Sequence, residues 1–145
     1  MNYLTLEDIV SRIPPAVLLD LADDDGDGRP DTEVLAEAGE SAESEMDTCL
    51  GVRFQVPIDL QQFPDLRNLL RGLALDIAEW RLRARRPPVL EASVRLHTLA
   101  LATLKRLASG EKQWPGAGPP TGVPDRPRVR VFGADSRLDG LEEII

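Results

Sequence analysis

The sequence predicts a mainly α fold: a small bundle of about four to five helices over residues 1–112, then an extended C-terminal arm, residues 113–145, carrying a short β-strand. Three observations point there. The AVILMFWYC set is 42% of the chain but aromatics only 4%, so the core is aliphatic, and Leu and Ala favour helix. Apolar residues recur at 3–4 spacing in stretches punctuated by proline and glycine. From Glu111 onward that periodicity stops.

Thr5-Leu6-Glu7-Asp8 has the form of a capping box, in which Thr5 caps and Asp8 returns the bond. It opens a short helix that runs to about Arg12 and stops before Pro14-Pro15. Pro15 to Ala22 reads as a second short, mostly apolar helix, and Asp23 to Pro30 as an acidic loop. Asp31 or Thr32 caps a longer helix with Val34, Leu35, Ala38, Ala42, Met46, Cys49 and Leu50 on one face. Its other face, Glu33, Glu37, Glu40, Glu43, Glu45 and Asp47, reads as solvated. Gly39 costs about 1 kcal/mol against Ala in a helix interior, so this helix needs tertiary packing, and Gly51 ends it.

Arg53 to Pro57 alternates briefly, and a loop follows. Pro64-Asp65 opens a helix to about Arg85, with Leu66, Leu69, Leu70, Leu73, Ile77 and Trp80 as its seam. The last helix spans about Leu90 to Ser109, with Leu96, Leu99, Ala100, Leu104 and Leu107 inside and Gly110 as its C′ residue. Trp114 to Pro127 is a Pro/Gly-rich linker. Arg128 to Phe132 alternates like a strand without a local partner, and Leu138, Leu141, Ile144 and Ile145 make an apolar tip.

The 145 residues suffice for one domain with one core. There is no run of 18 apolar residues and no secretory signal pattern, so no membrane partner and a cytoplasmic site of assembly are expected. A single Cys, Cys49, excludes an intrachain disulfide, and a single His, His97, excludes a His pair. Cys49 reads as a small hydrophobe and His97 as a packing or hydrogen-bonding residue. No nucleophile elbow, phosphate-cradling loop or Ser/His/Asp order stands out, so no catalytic residue, no enzyme activity and no cofactor are expected.

Charge is placed unevenly. Residues 1–52 hold 14 acids and 2 bases, whereas residues 53–112 hold 11 bases and 6 acids. The acidic third repels DNA, which disfavours a sequence-reading domain and leaves only non-specific contact with nucleic acid. Opposite signs at opposite ends suit head-to-tail docking of copies, a homo-oligomer. Arg81, Arg83, Arg85 and Arg86 cluster at a helix end, where a helix dipole accounts for two cations more easily than four. They are the candidate subunit interface, facing the acidic helix of a neighbouring copy.

Asp23, Asp25 and Asp27, followed by Gly28, begin like an EF-hand loop, with Asp31 at position 9. Position 12, normally a bidentate Glu, is Val34, and position 8 is Pro30. A calcium-binding regulatory module built on this loop is therefore the competing reading, and an acidic turn leading into the next helix the plainer one. The lone strand and apolar tip on an arm suit β-augmentation on another chain.

In this order the motifs resemble the small head–tail connector (adaptor, neck) proteins of Mu-like phages and prophages. The resemblance starts with Tyr3, Thr5, Asp8, Ile9 and Arg12 and continues through the acidic turn into Asp31-Thr32-x-Val34-Leu35. Asp47-x-x-Leu50-x-x-Arg53-Phe54-x-x-Pro57 is its most specific block. Leu73-Ala74-x-x-Ile77-Ala78-x-Trp80, Leu104-x-x-Leu107-Ala108-x-Gly110, Val131-Phe132 and Leu138-x-Gly140-Leu141 complete it. Cys49 stands where an aromatic is expected and Trp80 where Tyr is usual. The resemblance implies a structural virion protein of the neck. It would form a ring, commonly of twelve copies, beneath the portal protein, with DNA passing through the bore and a stopper or tail-completion protein on the far side. It further implies that the arm binds the portal, which makes Val129, Val131, Phe132, Leu138 and Leu141 the portal-binding candidates.

Overall fold

A computed structural model describes residues 1–112. Five α-helices follow in order: α1 (Leu6–Arg12), α2 (Pro15–Ala22), α3 (Thr32–Leu50), α4 (Arg67–Ala84) and α5 (Glu91–Ser109). Pro64–Leu66 forms a 3-10 turn leading into α4, so that helix begins three residues later than its proline suggests. The three long helices pack on one another, α1 lies across α3 and α4, and α2 touches α4. Among the described residues there is no strand, and the alternation at Arg53–Pro57 is a turn in which the Phe54 N–H returns to the Leu50 carbonyl at 2.8 Å. The strand at Arg128–Phe132, and the arm as a whole, lie outside the described residues.

The helix ends form largely for the local reasons legible in the chain. Thr5 Oγ1 accepts from the Asp8 N–H at 3.1 Å and Asp8 Oδ2 accepts from the Thr5 N–H at 2.8 Å, a complete capping box. Gly110 closes α5 at φ 83°, in the left-handed region a side chain resists. Asp31 occupies the N-cap position of α3 but its side chain makes no cap bond, because that carboxylate accepts from the Asp24 N–H across the loop at 2.9 Å.

One continuous aliphatic core runs through the body. Ile9 and Leu18 from the short helices, and Ile13 between them, meet Met46 and Leu50 of α3, Leu70, Ile77 and Leu82 of α4, and Leu104 and Leu107 of α5. Two helix faces differ from the apolar pattern. On α5 the inward row is Ser93, His97, Ala100, Leu104 and Leu107, which leaves Leu96 and Leu99 38% and 56% exposed rather than inside. The phase of the helix, set by where α3 and α4 lie, selected small and polar residues over two leucines. On α3 the inward row includes a charged residue, Glu43, only 4% exposed and so not on a solvated face.

Candidate functional site

The acidic loop closes on itself. Asp23 Oδ1 accepts from the Gly26 and Asp27 N–H groups at 2.9 and 3.1 Å, and its Oδ2 from the Gly28 N–H at 3.0 Å. Asp25 Oδ1 accepts from the Asp27 N–H at 3.1 Å, and Asp27 Oδ1 from the Arg29 N–H at 2.9 Å. Gly26 and Gly28 sit at φ 73° and 84°, so the turn depends on both glycines. The result brings one carboxylate oxygen each from Asp23, Asp25, Asp27 and Asp31 within 4.8 Å of one another. Four hard oxygen donors at that spacing fit Ca²⁺ better than a softer metal. Val34, at the twelfth position, lines a separate pocket with Arg81 and Arg85 and offers no oxygen.

The crowding shows in protonation. Desolvation pushes the Asp23 carboxyl up, but the Gly28 N–H, the hydrogen bond with Asp25 and two further N–H groups outweigh it and hold it below its ordinary value. For Asp25 the Asp27 N–H pulls downward, but the bond to Asp23, desolvation and the charges of Asp27 and Asp31 win, and its carboxyl is raised. The two adjacent carboxyls are thus pushed in opposite directions.

The arginine cluster is answered within the chain. Arg81 Nη2 reaches Glu45 Oε1 of α3 at 3.0 Å. Arg83 pairs with Glu79 one turn back at 2.9 Å, and Arg12 of α1 joins Glu79 and Asp76 at 3.0 and 2.5 Å. Arg85 donates to the Leu21 carbonyl and pairs with Asp24 at 2.6 Å, with Arg86 on the other oxygen at 3.3 Å. The hydrogen bond from Arg85, with both guanidinium charges, holds the Asp24 carboxyl below the usual range. All four arginines thus have acidic partners in the same molecule, and they tie the end of α4 to α3 and to the acidic loop.

A further site escapes the sequence pattern. Glu43 accepts from three consecutive backbone N–H groups, Asn2 at 2.6 Å, Tyr3 at 2.7 Å and Leu4 at 2.9 Å. Beside it Tyr3 Oη donates to Asp47 Oδ1 at 2.5 Å and accepts from the Ile58 N–H at 2.9 Å. One phenol therefore joins the N-terminal segment, α3 and the loop after it. Burial, then the Asp47 hydrogen bond, pushes the Tyr3 phenol well above its ordinary value, and burial also raises the Asp47 carboxyl. Gly39 admits the segment: a Cβ there would collide with Met1 Sδ and lie 3.2 Å from Leu4 Cδ1 and 3.3 Å from Ile9 Cδ1. The signal available in the sequence was Tyr3 at the start and Glu43 and Asp47 one turn apart, but nothing local links them.

His97 stacks on Trp80, ring centroids 4.1 Å apart and planes within 5°, and its buried Nε2 has no hydrogen-bond partner. It is a packing residue, and burial lowers its pKa, so the ring is neutral at pH 7. Burial raises the Cys49 thiol, which makes it a poor nucleophile. The portal-binding candidates Val129, Val131, Phe132, Leu138 and Leu141 lie outside the described residues. No helix among the described residues is long and apolar enough to cross a membrane. A search of the curated proteins found no match. A family model described as "Bacteriophage Mu, Gp36" matches residues 3–131, nearly the whole chain.

Proposed function

The chain belongs to the bacteriophage Mu Gp36 family, and on that premise we propose that it is a structural head–tail connector of the virion neck. In this reading it is an adaptor rather than a catalyst. Copies form a ring, of about twelve subunits if it follows the connectors it resembles, between the portal and a stopper or tail-completion protein, and DNA passes non-specifically through the bore. The observation that carries the reading is the extent of the family match. It starts at the Tyr3 clamp, runs through all five helices and continues to residue 131 in the arm. The body also has the build of an assembly unit, with a small rigid core and ion pairs that lock helix ends. An excess of carboxylates in residues 1–52 would let DNA slide past without adhering. The arm, with Val129, Val131, Phe132, Leu138 and Leu141, supplies the portal contact in this proposal.

Electron microscopy of purified portal rings mixed with the full chain tests it. An added ring of density on one portal face is the expected result. Portal rings left bare at saturating protein, with the chain itself folded, would reject the connector assignment.

One observation favours a second reading, a calcium-binding module: the four carboxylates gathered within 4.8 Å. Calorimetric titration with Ca²⁺ separates the two. Micromolar affinity abolished by Asp25→Ala supports the module, whereas affinity no tighter than about millimolar supports an adaptor whose loop is a structural turn.

A further inference from the structure

With Arg81, Arg83, Arg85 and Arg86 engaged inside the chain, the cations left without ion pairs lie elsewhere, and two of them share one face of α5 with exposed leucines. Among the described residues Arg95 and Arg106 of α5 are exposed and make no ion pair. They flank Leu96 and Leu99, the two leucines that α5 turns away from the core. On a helix these four positions share one outward sector, so a basic group lies at each end of an apolar pair along a single stripe.

The complementary surface lies on α3. A groove of about 500 Å³ runs between the N-terminal segment and α3, with Met1 and Val56 as apolar walls and Glu40, Glu43 and Asp47 supplying carboxylates. Glu40 is exposed and has no ion-pair partner among the described residues, whereas Glu43 is held by the three N–H groups of the N-terminal segment and Asp47 by Tyr3. Met1 is 43% exposed at the mouth. The groove and α5 occupy different flanks of α3. The N-terminal segment is bonded to Glu43 and Asp47, whereas α5 lies on the flank of Glu45 and Cys49, whose surroundings include His97 and Lys105. Residues two apart on a helix are about 200° apart around its axis.

We propose that the outer face of α5, Leu96 and Leu99 between Arg95 and Arg106, docks head to tail into the Met1–Glu40–Asp47–Val56 groove of a second copy. Apolar meets apolar, and cations meet an acidic groove whose exposed, unpaired carboxylate is Glu40. Two different surfaces on opposite flanks make a heterologous contact, the kind that generates a ring when its rotation closes. The proposal rests on the connector reading for supposing that copies meet, and it moves the contact from the end of α4 to α5.

Sedimentation velocity of the full chain over a concentration series tests it, with circular dichroism to show that each variant is folded. The wild type should self-associate, and added salt should weaken the association. Leu99→Asp, which breaks the donor face, and Glu40→Arg, which breaks the groove, should each weaken it by about tenfold or more. Mixed together, the two variants should recover a heterodimer and nothing larger, because one good face and one good groove remain. Association of either variant as strong as wild type, or a mixture that stays monomeric, overturns the proposal. A monomeric wild type overturns it too. If Leu99→Asp then speeds hydrogen exchange along α5, the occupant is residues 113–145 of the same chain. Portal binding is scored separately, so a wrong docking face and a wrong connector reading leave different results.

Discussion

Two regions of this molecule use carboxylates to hold backbone N–H groups, and they do so in opposite ways. The Asp23–Asp31 loop binds donors two to seven residues away, at the surface. The Glu43 clamp binds donors about forty residues away, and two of its three bonds are buried. In the loop, water stands ready to replace any bond that is lost. At the clamp it does not, so each N–H left without Glu43 bears most of its desolvation cost. The same chemistry therefore shapes a turn in one place and ties the N-terminal segment to α3 in the other.

The sharpest way to break this comparison is Glu43→Ala. It strips three N–H groups of their acceptor, and a loss of about 3–5 kcal/mol is expected in urea unfolding. Glu43→Gln should lose less, since an amide keeps one acceptor oxygen but not the charge. Tyr3→Phe removes both the bond to Asp47 and the acceptor for Ile58 and should cost about 1–3 kcal/mol by the same measurement. Gly39→Ala sets a helix-propensity gain of about 1 kcal/mol against displacement of the flexible Met1 side chain and contact with Leu4 and Ile9, for a net loss under about 1 kcal/mol. Asp23→Asn in the loop should be nearly indistinguishable from wild type in global unfolding while speeding hydrogen exchange at Gly26 and Gly28. If it destabilises as much as Glu43→Ala, the contrast between the regions is wrong.

The pH dependence sharpens the contrast further, because the signs differ. Burial raises the Asp47 carboxyl in the folded protein. The stability that follows is fully present below the unfolded value and is lost as pH rises through the folded one. Arg85 depresses the Asp24 carboxyl at the loop, so its contribution is present above the unfolded value and is lost as pH falls through the folded one. Melting temperature against pH should show Asp24→Asn removing part of the acid-side loss. Asp47→Asn should remove part of the loss on the rising side of the carboxylate range. Matching profiles for the two variants would contradict these signs.

Much of the body was legible in the chain because its signals are local. Pro14-Pro15, the Thr5–Asp8 box and Gly110 set helix limits through bonds that span three or four residues, and the structure places those limits where the residues predict. The DxDxDG turn was legible for the same reason, down to which carboxylates converge. What the tertiary structure alone decided is which face of α5 turns inward, which acid of α3 is buried and which charges meet. Leu96 and Leu99 look like core residues, but the position of α3 and α4 against α5 selects the row through Ser93 and Ala100 instead. Glu43 looks solvated, but the returning N-terminal segment brings three donors to it. The arginines at the end of α4 look like spare charge, but Glu45, Glu79 and Asp24 reach them from other parts of the fold or from one turn away. Periodicity reports that a helix has an apolar stripe, and only packing reports its phase. Composition reports an excess of acids, and only distance in space, through the steep dependence of ion pairing and desolvation on contact, reports which of them are already spoken for.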